Sequence, residues 1–118
     1  MITARPARSS DLPECHPSGA SYIAWAVELD GVPSGVIGLA LTRPRACLFC
    51  YFDESLRPYL KSLTILRLVK RVEGVITARG LPVFAIREKG EDKAPAMLTR
   101  LGFEPAGELD GDEIWEWR

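Results

Sequence analysis

From Tyr22 to Leu29 the large apolar residues Ile23, Trp25, Val27 and Leu29 alternate with smaller or polar ones, the pattern of a strand with one buried face. Asp30-Gly31 then reads as a turn, and Val36 to Leu41 is a continuous apolar run with glycines at Gly35 and Gly38. Thr42-Arg43-Pro44-Arg45 separates it from a third run, Ala46 to Phe52. The pattern predicts three antiparallel strands joined by short turns. After that the period changes. Between about Ser62 and Arg79, Ile65, Val69, Val72 and Ile76 recur at helical spacing, and Leu66, Leu68 and Val75 widen the stripe, which predicts the longest helix of the chain. Ser62 suits the cap of that helix, Gly80 a left-handed stop, and Pro82 forbids continuation. Arg79 falls in the last turn, where the helix dipole favours a cation.

Pro82 to Ile86 is a short apolar strand after a long helix, the order of a parallel crossover. A second helix follows, with Asp92 as cap, Pro95 in the first turn, Ala96, Met97, Leu98 and Leu101 on its apolar side, and Gly102 as terminator. Glu104 to Leu109, the Asp110-Gly111 turn and Glu113 to Arg118 form a terminal hairpin with Trp115 and Trp117 on one face. Near the start, Asp11-Leu12-Pro13-Glu14 reads as the cap of a short helix that Cys15-His16-Pro17-Ser18-Gly19 ends almost at once. The expected fold is α/β of the α+β type: one domain over residues 1–118, with a mixed, mostly antiparallel sheet flanked by helices.

Composition narrows the class. The chain has 118 residues, 47% hydrophobic and 26% charged, enough for one core without disulfide or metal. No apolar run approaches the roughly 20 residues that span a bilayer, and Met1 to Pro6 lacks the apolar segment of a secretory signal. A soluble, cytoplasmic protein with no membrane partner is the expectation. A net charge of -1 argues against a domain devoted to neutralising nucleic-acid phosphates. Three cysteines, an odd number, suggest reduced thiols rather than a disulfide framework.

Cys47-Leu48-Phe49-Cys50 fits a C-x-x-C pattern, yet on a strand residues three apart point to opposite faces, whereas a redox pair wants its first cysteine at a helix N-terminus. Buried thiols are the simpler reading. Adding Cys15 and His16 completes a four-ligand set without regular zinc-finger spacing, so no metal is expected. His16, the only histidine, has no acidic partner or nucleophile that the sequence identifies. The three tryptophans read as core or half-buried strand packing, and Arg67, Lys70 and Arg71 as a solvated helix face.

Two local matches give this order of elements a family resemblance. Arg5-Pro6-Ala7 followed by Asp11-Leu12-Pro13 resembles the first strand and helix start of the GNAT acetyltransferases, and Ala94 through Met97-Leu98-Thr99-Arg100-Leu101-Gly102-Phe103 resembles their late helix. The resemblance implies acetyl-CoA as co-substrate, held where the fourth and fifth strands splay apart, with its pyrophosphate on backbone N–H groups at the start of the long helix. It assigns the coenzyme site to Phe52, Asp53, Arg57, Leu60, Lys61, Ser62 and Leu63. In the family's Gln/Arg-x-x-Gly-x-Gly/Ala loop, glycines let phosphate approach the backbone. Here Arg57 keeps the first position, and Leu60 and Ser62 replace the glycines. Arg57 and Lys61 remain able to attract phosphate.

Two further positions depart from the family. Glu91 stands where an Asn often bonds the pantetheine arm, and Leu98 where a Tyr often protonates the departing thiolate. Glu28, Asp53 and Glu54 are the candidate bases, and spacing does not choose among them. The implied activity is acetyl transfer to an amine, on a small molecule or a peptide. The alternative is a non-catalytic module of the same fold that binds another ligand or a protein partner. A homodimer is compatible with either.

Overall fold

The alternating first half of the chain folds as an antiparallel ladder, seen in a computed structural model that describes residues 1–12, 21–41, 45–80, 82–87, 94–109 and 111–117. Strand β1 (Ile2–Pro6) pairs β2 (Ser21–Leu29), β2 pairs β3 (Val32–Leu41), and β3 pairs β4 (Ala46–Phe52), all antiparallel. Asp30 and Gly31 turn between β2 and β3 with φ of 52° and 83°. Two positive φ angles match the right-handed twist of the strands they join, and glycine accepts one without steric cost. That tight turn sets Leu29 opposite Val32, so β3 starts before the apolar run that predicted it. Pro33 is accommodated because the register shifts at Val27/Glu28, opposite it, and a bulge tolerates a residue with no N–H.

The helical stripe forms α1 (Leu63–Arg79), closed by Gly80 at φ 64°. After it come β5 (Val83–Arg87), α2 (Ala94–Leu101), β6 (Phe103–Leu109) and β7 (Asp112–Trp117). The seven strands lie in the order β1-β2-β3-β4-β5-β7-β6. Only the β4–β5 pair is parallel, as a helical crossover between them requires.

Val27, Ile37, Leu39 and Leu48 share one buried cluster with Ile65, Val69, Val72 and Ile76 of α1 and Leu98 and Leu101 of α2. Each such side chain, fully buried, contributes about 1.5–3 kcal/mol relative to exposure. The Thr64 hydroxyl donates to the Ile2 carbonyl at 3.3 Å, tying the start of α1 to the edge strand. No helix among the described residues is long and apolar enough to cross a membrane.

Four local expectations are corrected. Asp11 does not cap an α-helix: it ends a 3-10 turn, Ser9–Asp11, and Leu12 is extended. Its carboxylate is taken instead by Arg5, at 2.8 and 3.2 Å, and by the Arg8 N–H at 2.7 Å; residues 13–20 lie outside the described part. Strand β2 is covered on both faces, since Ala24 and Ala26 are buried as well as Val27. Ala26 has Arg5 and Val36 as cross-strand partners, and a methyl group is hidden by taller neighbours on its own face. Cys47 is half-buried and Cys50 exposed, because Cys50 lies beyond the part of β4 that β5 covers. Finally, Glu54–Tyr59 is a 3-10 helix containing Pro58, which no hydrophobic period announced.

Candidate functional site

Strands β4 and β5 part company halfway along. Ala46, Cys47 and Leu48 pair with Val83, Phe84 and Ala85, and past that rung Phe49–Phe52 keep only β3 while Ile86 and Arg87 keep only β7. The sheet is therefore forked. Beyond the tip of the β4 limb the chain makes the 3-10 helix Glu54–Tyr59, passes Leu60 and Lys61, and enters α1. This path carries Phe52, Asp53, Arg57, Leu60, Lys61, Ser62 and Leu63 in one continuous stretch from the limb to the helix start.

A helix start leaves four backbone N–H groups without intrahelical partners. Here the Ser62 N–H donates to Tyr59 O at 2.9 Å and the Ile65 N–H to Ser62 Oγ at 3.4 Å. The N–H groups of Leu63 and Thr64 remain, with no acceptor among the described residues, at the positive end of the helix dipole. Leu63 is 61% exposed, Lys61 is exposed, and Arg57 and Leu60 are half-buried. This arrangement can receive an anion from two backbone donors, with Arg57 and Lys61 in the stretch of chain that leads to them. No glycine contributes. Phe52 packs against the core rather than opening toward solvent.

The three candidate bases fall in different surroundings. Glu28 lies on β2, and its carboxylate faces the Arg5 guanidinium at 3.4 Å. Asp53 ends the β4 limb; its Oδ1 accepts from the Glu54 N–H at 2.9 Å, and its own N–H donates to Ser34 O at 2.8 Å. Glu54 is exposed on the 3-10 helix. Of the three, Asp53 alone lines a cavity of about 190 Å³, together with Ser10, Asp11, Ser34, Val36 and Tyr51. Ser34 is the buried polar residue of that wall. Hydrogen bonds from Arg5, then from the Arg8 N–H, hold the Asp11 carboxyl below its ordinary range, against burial, which pushes it up.

Leu98, at the position the resemblance reserves for an acid, is 6% exposed and part of the core cluster. Glu91 lies outside the described residues, as do Cys15, His16 and Asp92. Cys47 and Cys50 do sit on opposite faces, by the register that puts Cys47 beside Phe84 and Cys50 beside Ile37. No group of three or more His, Cys, Asp or Glu able to hold a metal ion occurs among the described residues. Arg67, Lys70 and Arg71 are exposed on α1, and the Arg71 guanidinium lies 5.8 Å from the Trp25 ring centroid, a cation–π contact.

Two features escaped the sequence. Tyr51, 61% exposed on the β4 limb, is by sequence one more residue of an apolar run. The indole nitrogen of Trp115 is buried and has no hydrogen-bond partner among the described residues. Neither has a local signal, since both depend on which strand ends where.

No family model matches the sequence, and no curated protein matches it. Among solved structures, 168 chains match. A GNAT-family acetyltransferase from Staphylococcus aureus Mu50 superposes with TM-score 0.70 at 12% identity, covering 99% of this chain and 98% of that one. The IAA acetyltransferase from Bacillus cereus gives TM-score 0.67 at 11% identity, covering 99% of each. The PaiA N-acetyltransferase from Thermoplasma acidophilum, determined in complex with coenzyme A, gives TM-score 0.61 at 15% identity, over 82% of this chain and 60% of that one. At these identities the likeness is one of fold: the chain has the GNAT fold, a mostly antiparallel seven-stranded sheet flanked by helices.

Proposed function

We propose that this chain is an acyl-CoA-dependent N-acetyltransferase-like protein that passes an acetyl group to an amine. The observation that carries the reading is the conjunction of a forked β4–β5 pair with a helix start whose Leu63 and Thr64 N–H groups have no acceptor among the described residues. The residues present fit an acyl-CoA in two respects: open donors and cations at the helix start, and a buried orphan donor, the Trp115 indole, at the rung where the strands part. When bound, acetyl-CoA supplies an activated thioester.

This chain's own residues then have separable tasks. Leu63 and Thr64 N–H, with Arg57 and Lys61, would hold the diphosphate. Asp53 accepts the proton of the incoming amine, which the cavity walled by Ser34 and Tyr51 orients; positioning of this kind is a major source of rate in acyl transfer. Leu98 offers no proton to the departing thiolate. A coenzyme thiolate is a tolerable leaving group, so transfer survives at a lower rate.

The same Leu98 favours a second reading, a non-catalytic GNAT-fold module that binds another ligand or a protein partner. Calorimetry with acetyl-CoA, with thioester cleavage and transfer measured separately, distinguishes the two. Heat and a melting shift, about 2.7 kcal/mol of stabilisation at 100 times the dissociation constant, are expected for the wild-type chain. Arg57→Ala with Lys61→Ala should weaken binding and lower its salt sensitivity, and Leu60→Gly with Ser62→Gly should strengthen it. Binding without turnover of amines supports the module. Silence at millimolar acetyl-CoA from both the wild type and the glycine variant would end the enzyme reading and leave the non-catalytic module.

A further inference from the structure

Trp115 and Trp117 stand two residues apart on the same face of β7, yet only one has its indole N–H matched. Trp117 Nε1 donates to the Leu101 carbonyl at 3.2 Å, so the end of α2 lies over it. Trp115 is 5% exposed, and its Nε1 is buried with no hydrogen-bond partner among the described residues. A buried donor left unsatisfied forfeits its hydration without replacement, and native proteins rarely keep one without a use. Its place suggests the use. Trp115 pairs with Ala85 on β5, and Ala85 pairs with Leu48 in the last rung before β4 and β5 separate. The residue that carries the orphan donor therefore stands in the row where the fork opens. It shares the buried cluster with Leu98, a side chain that can offer no hydrogen bond.

Resting on the coenzyme reading above, we infer that the Trp115 indole N–H is a positioning donor for a carbonyl oxygen of the acyl-pantetheine arm. The acceptor is either an amide carbonyl of the arm or the thioester carbonyl, which present the same chemistry to an N–H. No proton is transferred. The indole orients the arm and, in the thioester case, polarises the carbon that the amine attacks.

The test follows the indole N–H itself. The wild-type chain labelled with ¹⁵N-tryptophan has three indole signals, from Trp25, Trp115 and Trp117, and the Trp115 signal is the one missing in Trp115→Phe. Titration with acetyl-CoA, with saturation followed by calorimetry, should move that signal downfield in the proton dimension more than the other two. A shift with acetyl-CoA but not coenzyme A places the bond on the thioester, and an equal shift with both places it on an amide. Trp115→Phe should lose about tenfold in acetyl-CoA affinity, equivalent to 1.4 kcal/mol, whereas Trp117→Phe should lower the melting temperature and leave affinity within twofold. Should Trp115→Phe fail to fold, the wild-type signal, assigned by through-space contacts to neighbouring protons, still decides. A wild-type chain that saturates without moving the Trp115 signal overturns the assignment and leaves the coenzyme reading intact. A wild-type chain that binds no coenzyme overturns both.

Discussion

The two halves of the β4–β5 pair differ in every physical respect although they belong to the same strands. Below the fork, Ala46 and Leu48 face Val83 and Ala85, all four buried at 1–5% exposure. Above it, Tyr51 is 61% and Ile86 44% exposed, and the limbs share no ladder. The lower half is spent on stability. From the upper half of β4 the chain runs through Asp53, which lines the cavity, to the start of α1, and Trp115 stands in the row where the limbs part. Residues of similar hydrophobicity therefore serve different ends on either side of one rung.

The sharpest way to break this comparison is to truncate one side chain on each side of it. Leu48→Ala removes a residue 5% exposed from the centre of the core and should cost about 2–5 kcal/mol in chemical denaturation. Tyr51→Ala, on the limb, should stay within about 0.5 kcal/mol, as exposed substitutions do. Equal losses at the two positions would mean that the limb is packed as tightly as the base, and the fork would lose its standing as an opening.

The base was legible because it obeys periodicity. The α1 stripe, its Ser62 cap and Gly80 stop, the Asp30-Gly31 turn and the two-tryptophan face of β7 all follow from local residue types, and the structure has each of them. What failed to show were consequences of distant pairing. Asp11 looks like a cap by type but is claimed by Arg5 across the turn, and Cys50 looks buried by its apolar neighbours until β5 leaves β4. The candidate site divides along the same line. Arg57, Lys61 and the helix start enter as candidates through the resemblance alone, and the structure places them in one stretch of chain. Asp53 stood level with Glu28 and Glu54 until the fold put Arg5 beside Glu28 and a cavity beside Asp53.

A smaller effect sharpens the role of the helix start. Ser62 Oγ accepts from the Ile65 N–H, so Ser62→Ala should lower stability by about 1 kcal/mol, while Ser62→Gly should cost only about a few tenths. Both remove the same hydroxyl. The glycine variant also clears the backbone for phosphate, so it should bind acetyl-CoA more tightly than wild type despite being slightly less stable. Parallel changes in stability and affinity across the two variants would show that the cap acts on binding only through the helix.

The smallest expected effect concerns Asp11, which shares the cavity wall with Asp53 but has a different task. Bonds from Arg5 and the Arg8 N–H favour its ionised form, so its folded pKa lies below the ordinary carboxyl value. A carboxyl depressed on folding adds stability above its unfolded pKa and loses it as pH falls through the folded one, because the unfolded chain then binds the proton first. Arg5 stays charged throughout this range. The stability difference between the wild type and Asp11→Asn should therefore be constant from neutral pH down to about 4, then shrink below that as Asp11 protonates. Paired urea titrations across pH 2–7 read it directly, and the subtraction removes the other carboxylates common to both chains. A difference that instead grows toward acid would mean that burial dominates the Arg5 pairing, and Asp11 would join Asp53 as a group held ready for a cationic ligand rather than one already satisfied within the fold.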